Sequence, residues 1–420
     1  MKKTNKINKK TGILIGVGSA LSIGTMMVVL LKRKTKKGSV LEKDDFDFDF
    51  DEIEEDSCVN DKFDTEKDKD DIGKEEIDSL VDEYLEYESK TEEEKQEIDM
   101  VIVATESGID QSKAAAVFVH GLLGIQPFAR SFEIKEACYG ATAALHYAKL
   151  HVENSPKSKV LVLASDIAKY GINAPGEPTQ GSGSIAMLIT QNPRILSFND
   201  DNVAQTRNIN DFWRPNYSTT PFVNGVYSTQ QYLACLETNW EEYKKRYNWT
   251  LDDFVAVCFH LPYPKLALKG FRKILDKSLS QEKQELLQEH FDASIIYSNR
   301  VGNIYTGSLF LGLLSLLENA DTLKAGDKIA LYSYGSGAVS EFFSVQLVEG
   351  YEQYLDKERA QVLDRRKPLT VEEYENVFYE EANLNPSGST QFTGYENQEY
   401  ALVEIVEHHR YYSKVEKYED

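Results

Sequence analysis

With 420 residues, 41% of them apolar and 11% aromatic, the chain can bury one large or two ordinary globular cores, which makes a soluble enzyme the first class to consider. A net charge of −22, from 69 acidic against 47 basic residues, argues against nucleic acid as a partner, because phosphate-backbone binding needs a concentrated cationic surface. The four cysteines show no C-x-x-C or Cys/His spacing of a structural metal site and read as reduced, intracellular thiols.

The charge is unevenly spread. Residues 1–37 hold ten Lys and Arg and no acid. Within them Gly12 to Leu31, GILIGVGSALSIGTMMVVLL, is an uncharged stretch that as a helix spans about 30 Å, and the basic run KRKTKK follows it. This pattern predicts a single-pass membrane anchor over 12–31 with basic flanks, rather than a cleaved leader. Five basic residues on each side leave its orientation open. Residues 38–97 are strongly acidic, as in DDFDFDFDEIEED, and predict a solvated, disordered linker. Its segment EEIDSLVDEYLEYE places Ile77, Leu80, Val81, Tyr84 and Leu85 at the spacing of a short amphipathic helix.

At about Ile98 the texture changes. MVIVATES reads as a buried strand, Gln111 to Leu123 as a helix, and FEIKEACYGATAALHYAKL as a short strand running into a helix. KVLVLASD (159–166), SIAMLITQ (184–191), KIALYSYGSG (328–337) and ALVEIVEH (401–408) fit further strands. The tract 265–290 and SLFLGLLSLLENA (308–320) fit helices, and the alternation predicts a layered α/β fold.

Three residues stand where chemistry could be built. Cys138 lies between an apolar strand and a small-residue helix, where the helix dipole lowers a thiol pKa and backbone N–H groups can hold an anion; the competing reading is a buried structural cysteine. His260 ends the strand-like run FVAVCFH directly before LPYPK, a place for a site histidine or for a satisfied core one. Glu106 ends MVIVATES, and a carboxylate there is costly unless protonated, paired or catalytic. The adjacent pair His408 and His409 reads as structural, since neighbours on a strand point to opposite faces.

These segments, with GEPTQGSGS (176–184), DFWRP (211–215) and VGNIYTGSL (301–309), resemble hydroxymethylglutaryl-CoA synthase, a thiolase-superfamily enzyme, in order and spacing from about Ile98 to about Glu380. The resemblance implies a thiolase-like layered fold of two related α/β halves, over 98–195 and over 196–420 with a C-terminal extension. It implies Cys138 as the acylated nucleophile, Glu106 as general acid/base and His260 as the histidine that orients the second substrate. Tyr170, Thr179, Asn303 and Ser336 match positions lining the family's site, and Lys265 would meet the CoA phosphates. The implied substrates are acetyl-CoA and acetoacetyl-CoA, with no metal or other cofactor, and the implied assembly is a homodimer. A ketoacyl carrier-protein synthase also combines Cys, His and Asn, but has no need of a base such as Glu106.

Family members open with a strand and helices before the catalytic glutamate, and nothing in residues 1–97 reads as that opening. The first half is therefore expected to lack its first strand and covering helix. The chain is expected to be either a membrane-tethered synthase, with its catalytic body in the cytoplasm, or a catalytically dead membrane-attached remnant or a fusion of two reading frames.

Overall fold

The computed structural model describes residues 12–16, 95–218, 220–356, 359–364, 366–379, 384–393 and 400–414. The strands are β1 (Gly12–Gly16), β2 (Ile98–Ala104), β3 (Arg130–Ile134), β4 (Lys159–Ala168), β5 (Gly181–Thr190), β6 (Leu196–Thr206), β7 (Phe212–Trp213), β8 (Phe222–Val223), β9 (Ala256–Phe259), β10 (Lys328–Gly335) and β11 (Val339–Leu347). A C-terminal three-stranded sheet follows, from β12 (Thr390–Gln391), β13 (Tyr400–Val406) and β14 (His409–Lys414). The α-helices are α1 (Ala115–Leu122), α2 (Gly140–Asn154), α3 (Gly225–Tyr247), α4 (Pro264–Ile274), α5 (Gln281–Ser294), α6 (Ser298–Val301), α7 (Ser308–Asn319), α8 (Arg359–Asp364) and α9 (Val371–Tyr379).

Nine strands form one sheet in the order β3-β2-β4-β5-β1-β6-β11-β10-β9. The pairing repeats itself about the sheet centre. From β2 inward, a parallel pair with β4 is followed by antiparallel steps to β5 and β1. From β9 inward, a parallel pair with β10 is followed by antiparallel steps to β11 and β6.

The strands are apolar on both faces because helices cover both. On β2, Met100, Ile102 and Ala104 join the core that holds Ala141, Ala144 and Leu145 of α2, whereas Val101 and Val103 pack with Ala116 and Val119 of α1. On β9, Ala256 and Cys258 face the α7 leucines, while Val257 and Phe259 face Leu236 of α3 and Phe271 of α4. Every residue of α7 from Ser308 to Leu317 is buried, as expected of a helix that is apolar all round and lies inside the layers.

Most predicted elements are present within a few residues of their expected ends; the expected 111–123 helix begins only at Ala115. The membrane anchor is corrected. Gly12–Gly16, expected as the start of a membrane helix, is strand β1, antiparallel to β5 over its whole length and to β6 at Gly12 and Ile13. A short apolar run satisfies its backbone between two strands as well as within a helix, so hydrophobicity alone does not choose between them. The rest of the expected span, residues 17–31, lies outside the described residues, as do the linker through residue 94 and its amphipathic segment. Among the described residues no helix is long and apolar enough to cross a membrane, which overturns the single-pass membrane localisation. The strand expected to be missing from the first half has a counterpart in β1, at the junction of the two halves of the sheet.

Candidate active site

The nucleophile candidate sits on the turn between β3 and α2. Ala137 adopts a left-handed backbone (φ 40°), Tyr139 N–H bonds back to the Glu136 carbonyl at 2.9 Å, and Cys138 is thereby placed just before the first turn of α2. The end of β10 presses against the same turn. A Cβ on Gly335 would stand 2.6 Å from Tyr139 N and 2.7 Å from the Glu136 carbonyl oxygen, so glycine is required for that approach.

Glu106 follows the C-terminal end of β2, and the Cys138 thiol donates to its Oε1 across 2.9 Å. Two groups fix the glutamate backbone: Asp166 Oδ1 accepts from Glu106 N–H at 2.9 Å, and the Arg214 guanidinium donates to the Glu106 carbonyl at 2.6 Å. Burial, assisted by the negative charge of Asp166, pushes the Glu106 carboxyl up to about 8. Burial and the neighbouring Glu106 likewise push the Cys138 thiol well above its ordinary value. The pull of the α2 N-terminus on the thiol is thus overcome. The two groups share a site that resists holding two negative charges, and the thiol proton points at the oxygen able to take it.

An aromatic wall encloses the thiol. Tyr305 and Ala168 pack in the Cys138 cluster with Tyr170 and Phe212, and the Tyr170, Phe212 and Tyr305 rings lie within 6.0 Å of one another. The Tyr170 hydroxyl accepts from Asn303 Nδ2 at 2.9 Å, and Asn303 Oδ1 in turn accepts from Tyr305 N–H at 2.9 Å and the Ser308 hydroxyl at 2.7 Å. Asn303 N–H donates to the Thr179 carbonyl at 2.9 Å, so the β4–β5 connection and the α6–α7 connection meet here. The Thr179 hydroxyl itself is turned to the Gly176 carbonyl at 2.8 Å.

His260 directly follows β9 and is buried, its N–H bonded to the Tyr332 carbonyl at 2.7 Å and its own carbonyl accepting from the Tyr232 hydroxyl at 3.0 Å. Its Nδ1 is buried without a hydrogen-bond partner, and burial drives its pKa down to about 3, so the imidazole is neutral. A buried imidazole with an unused nitrogen is the state expected of a group that waits for a substrate oxygen. Ser336 is half-buried in the turn between β10 and β11, and Lys265 is exposed in the first turn of α4.

Glu106, Cys138, Tyr170, Thr179 and Asn303 are therefore joined by direct contacts. His260, Ser336 and Lys265 make no side-chain hydrogen bond to that group among the described residues. Sequence reading passed over Asp166, Asp211, Arg214, Tyr305 and Thr306. Asp211 accepts from the Tyr334 hydroxyl at 2.7 Å and Gly337 N–H at 2.9 Å, holding the β10–β11 turn. The motifs DFWRP and VGNIYTGSL contain four of these five residues and were the available signal. His408 and His409 lie at the turn and start of the β13–β14 hairpin, and no cluster of metal-ligating side chains occurs among the described residues.

Comparison with known proteins identifies what the chain is similar to. The profile described as "Hydroxymethylglutaryl-coenzyme A synthase N terminal" matches residues 66–194, and its "C terminal" counterpart matches 202–285 and 271–415. The first match begins inside the tract read above as linker. A hydroxymethylglutaryl-CoA synthase of Enterococcus faecalis is 56% identical over 292 residues, 69% of this chain and 76% of that protein. A polyketide-biosynthesis 3-hydroxy-3-methylglutaryl-ACP synthase of Bacillus subtilis (strain 168) is 32% identical over 311 residues, 69% of this chain and 73% of that protein. A crystal structure of an HMG-CoA synthase complexed with CoA superposes with a TM-score of 0.76 at 64% identity, covering 77% of this chain and 83% of that one.

Proposed function

The chain belongs to the hydroxymethylglutaryl-CoA synthase family, with its thiolase-like α/β fold, and from that membership we propose how this site condenses acetyl-CoA with acetoacetyl-CoA. The reaction is an acyl transfer followed by carbon–carbon bond formation, and it gives 3-hydroxy-3-methylglutaryl-CoA. CoA thioesters are its substrates, and the steps below draw on no further group.

In the first step Cys138 Sγ attacks the acetyl carbonyl carbon as its proton passes to Glu106 Oε1. The proton moves on to the departing CoA sulfur, leaving acetyl-Cys138 and a Glu106 carboxylate. In the second step Glu106 takes a proton from the acetyl methyl, and the resulting carbon nucleophile attacks the ketone of acetoacetyl-CoA. Neutral His260 donates a hydrogen bond to that ketone oxygen, and the alkoxide formed recovers the proton held by Glu106. In the third step water hydrolyses the Cys138 thioester, which frees the product and restores the thiol. Tyr170, Asn303, Thr179 and Ser336 line the acyl and pantetheine path, and Lys265 meets the CoA phosphates as a point charge.

The 2.9 Å contact between Cys138 Sγ and Glu106 Oε1 carries this reading, because it gives the nucleophile its proton acceptor before substrate arrives. Incubation of the full chain with acetyl-CoA is expected to give one acetyl adduct on Cys138 by peptide mass spectrometry, discharged on adding acetoacetyl-CoA and absent in Cys138→Ala. A folded chain that takes no acetyl group would overturn the assignment.

A homodimer through the first half is part of the same proposal. Among the described residues β3 is an edge strand of the sheet, bonded to β2 on one side, and Val117, Phe128, Tyr147 and Leu150 are exposed on that half. An open edge beside apolar surface favours covering by a second copy. Light scattering should return twice the chain mass at micromolar concentration; a monomer there rejects it.

A further inference from the structure

The loop that carries Tyr170 and Thr179, residues 169–180, is closed from behind by groups the reaction does not touch. Gln180 folds back along it, with Oε1 accepting from the N–H groups of Tyr170 (2.7 Å) and Gly171 (3.1 Å). Its Nε2 donates to the hydroxyl of Tyr374 on α9 at 2.9 Å. That hydroxyl donates to Glu177 Oε1 at 3.1 Å, and Glu177 Oε2 accepts from Asn173 N–H at 2.6 Å. Lys169, at the start of the loop, lies 4.2 Å over the Phe378 ring of the same helix and donates to the Phe378 carbonyl.

Helix α9 docks on this loop through Tyr374 and, at its last turn, through Phe378. Tyr374 is its one buried residue, and Val371 and Tyr379 are 61% and 65% exposed. A short helix lends the order of its buried anchor to whatever that anchor binds, and here Tyr374 binds Gln180 and Glu177 at one end of a site loop whose other end Gln180 holds in turn. The far side of the loop is Tyr170 with Asn303, beside Cys138.

We propose that Tyr374 is a positioning residue for acyl transfer: through Gln180 and Glu177 it fixes the 169–180 loop, and with it the Tyr170–Asn303 pair. The inference rests on the reading of the Cys138 pocket as the acyl-transfer site. Tyr374 touches no reacting atom, so its effect must pass through loop order, which can be read independently of turnover.

The test uses the full chain as wild type, Tyr374→Phe and Gln180→Leu, with hydrogen exchange followed on peptides spanning 168–182 and steady-state condensation measured alongside. Tyr374→Phe deletes only the hydroxyl. It removes two hydrogen bonds, one accepted from Gln180 and one donated to Glu177, and is expected to speed exchange of the Tyr170 and Gly171 amides by about threefold or more and lower kcat/KM by about three- to tenfold. Exchange in β4 and β10, and Tm, should stay at wild-type values. Gln180→Leu removes the loop closure as well and should exceed Tyr374→Phe in both readouts. Wild-type exchange across 168–182 in both variants overturns the proposal, as does accelerated exchange spread evenly over the sheet, which would make Tyr374 a packing residue only. A wild-type chain that never acetylates Cys138 removes the acyl-transfer reading instead and leaves the exchange result standing by itself.

Discussion

Asp166 Oδ2 accepts both the backbone N–H (3.0 Å) and the hydroxyl (2.5 Å) of Thr306, a residue from the opposite half of the sequence. Its other oxygen accepts from the Thr105 hydroxyl (2.8 Å), Glu106 N–H (2.9 Å) and Ser107 N–H (3.0 Å). One buried carboxylate thus ties the strand end that bears Glu106 to the turn that opens α7. An amide can satisfy only one of those sides, because its NH2 must face N–H or O–H donors. Asp166→Asn is therefore expected to lose roughly 2–4 kcal/mol of stability. It should also move the Glu106 titration downward, since the Asp166 charge helps hold that carboxyl up. Denaturant unfolding and the pH profile of kcat/KM check the two halves separately; an unchanged profile would show that the charge does not reach Glu106.

Gly302 has φ 86°, and a Cβ there would fall 2.2 Å from the Gln180 carbonyl oxygen. Gly181 faces the same contact from the other side, with its own Cβ position 2.4 Å from the Val301 carbonyl oxygen. The obstacles are backbone atoms of two connections that must touch for Asn303 to reach Tyr170. Gly302→Ala is expected to cost about 3 kcal/mol or more, from strain and overpacking together. Thermal unfolding provides the measurement, and a Tm within about 2 °C of wild type would mean the two connections can separate cheaply.

The Glu106 carboxyl, raised to about 8 from an ordinary 4.5, gives two pH signatures. As the base for methyl proton abstraction it must be ionised, so kcat/KM should rise with pH through a limb near 8. Glu106→Gln should abolish that limb and lower condensation by about 10²–10⁴-fold. For stability the sign is opposite. Between 4.5 and about 8 the folded state keeps a proton that the unfolded state has lost, so this group's contribution weakens as pH rises. Glu106→Gln should therefore raise Tm at pH 8.5 and leave it nearly unchanged at pH 4.5. Equal shifts at both pH values would contradict the raised carboxyl.

His260 works in the other direction. Its folded value of about 3 lies below the ordinary 6.5, so the unfolded state binds a proton first as pH falls. Its neutral burial contributes stability above pH 6.5 that is lost progressively on acidification toward 3. His260→Asn is expected to flatten this part of the acid unfolding curve while removing turnover with acetoacetyl-CoA. Acetylation of Cys138 should survive in the same variant, and its loss would assign His260 to the first step rather than the second.

What the sequence alone discloses follows from range along the chain. Cys138 beside a helix start, Glu106 and His260 at strand ends, and the strand over 159–166 are local patterns, and the structure places them as expected. Asp166 was invisible because its five donors come from residues 105–107 and 306, and nothing at position 166 itself announces them. Tyr374 was passed over for the same reason, its partners lying almost two hundred residues earlier. The correction at Gly12–Gly16 had another cause. Apolar length does not choose between a membrane helix and a strand, and the backbone of Gly12–Gly16 pairs with β5 and β6 in the sheet.

That correction has its own test. Ile13 pairs with Ile189 of β5 and with Leu196 of β6, so its backbone lies between two strands. Proline there removes the N–H and sterically opposes a central strand position, whereas a membrane helix tolerates a proline near its end far better. Ile13→Pro is expected to cost roughly 2–4 kcal/mol. The loss should appear as a lower Tm of the catalytic body and weaker exchange protection in β5 and β6. Ile13→Val keeps the strand-forming backbone and should leave both near wild type. If Ile13→Pro instead leaves Tm and the β5 and β6 amides untouched, β1 does not hold the sheet together, and the two halves must meet through β5 and β6 without it.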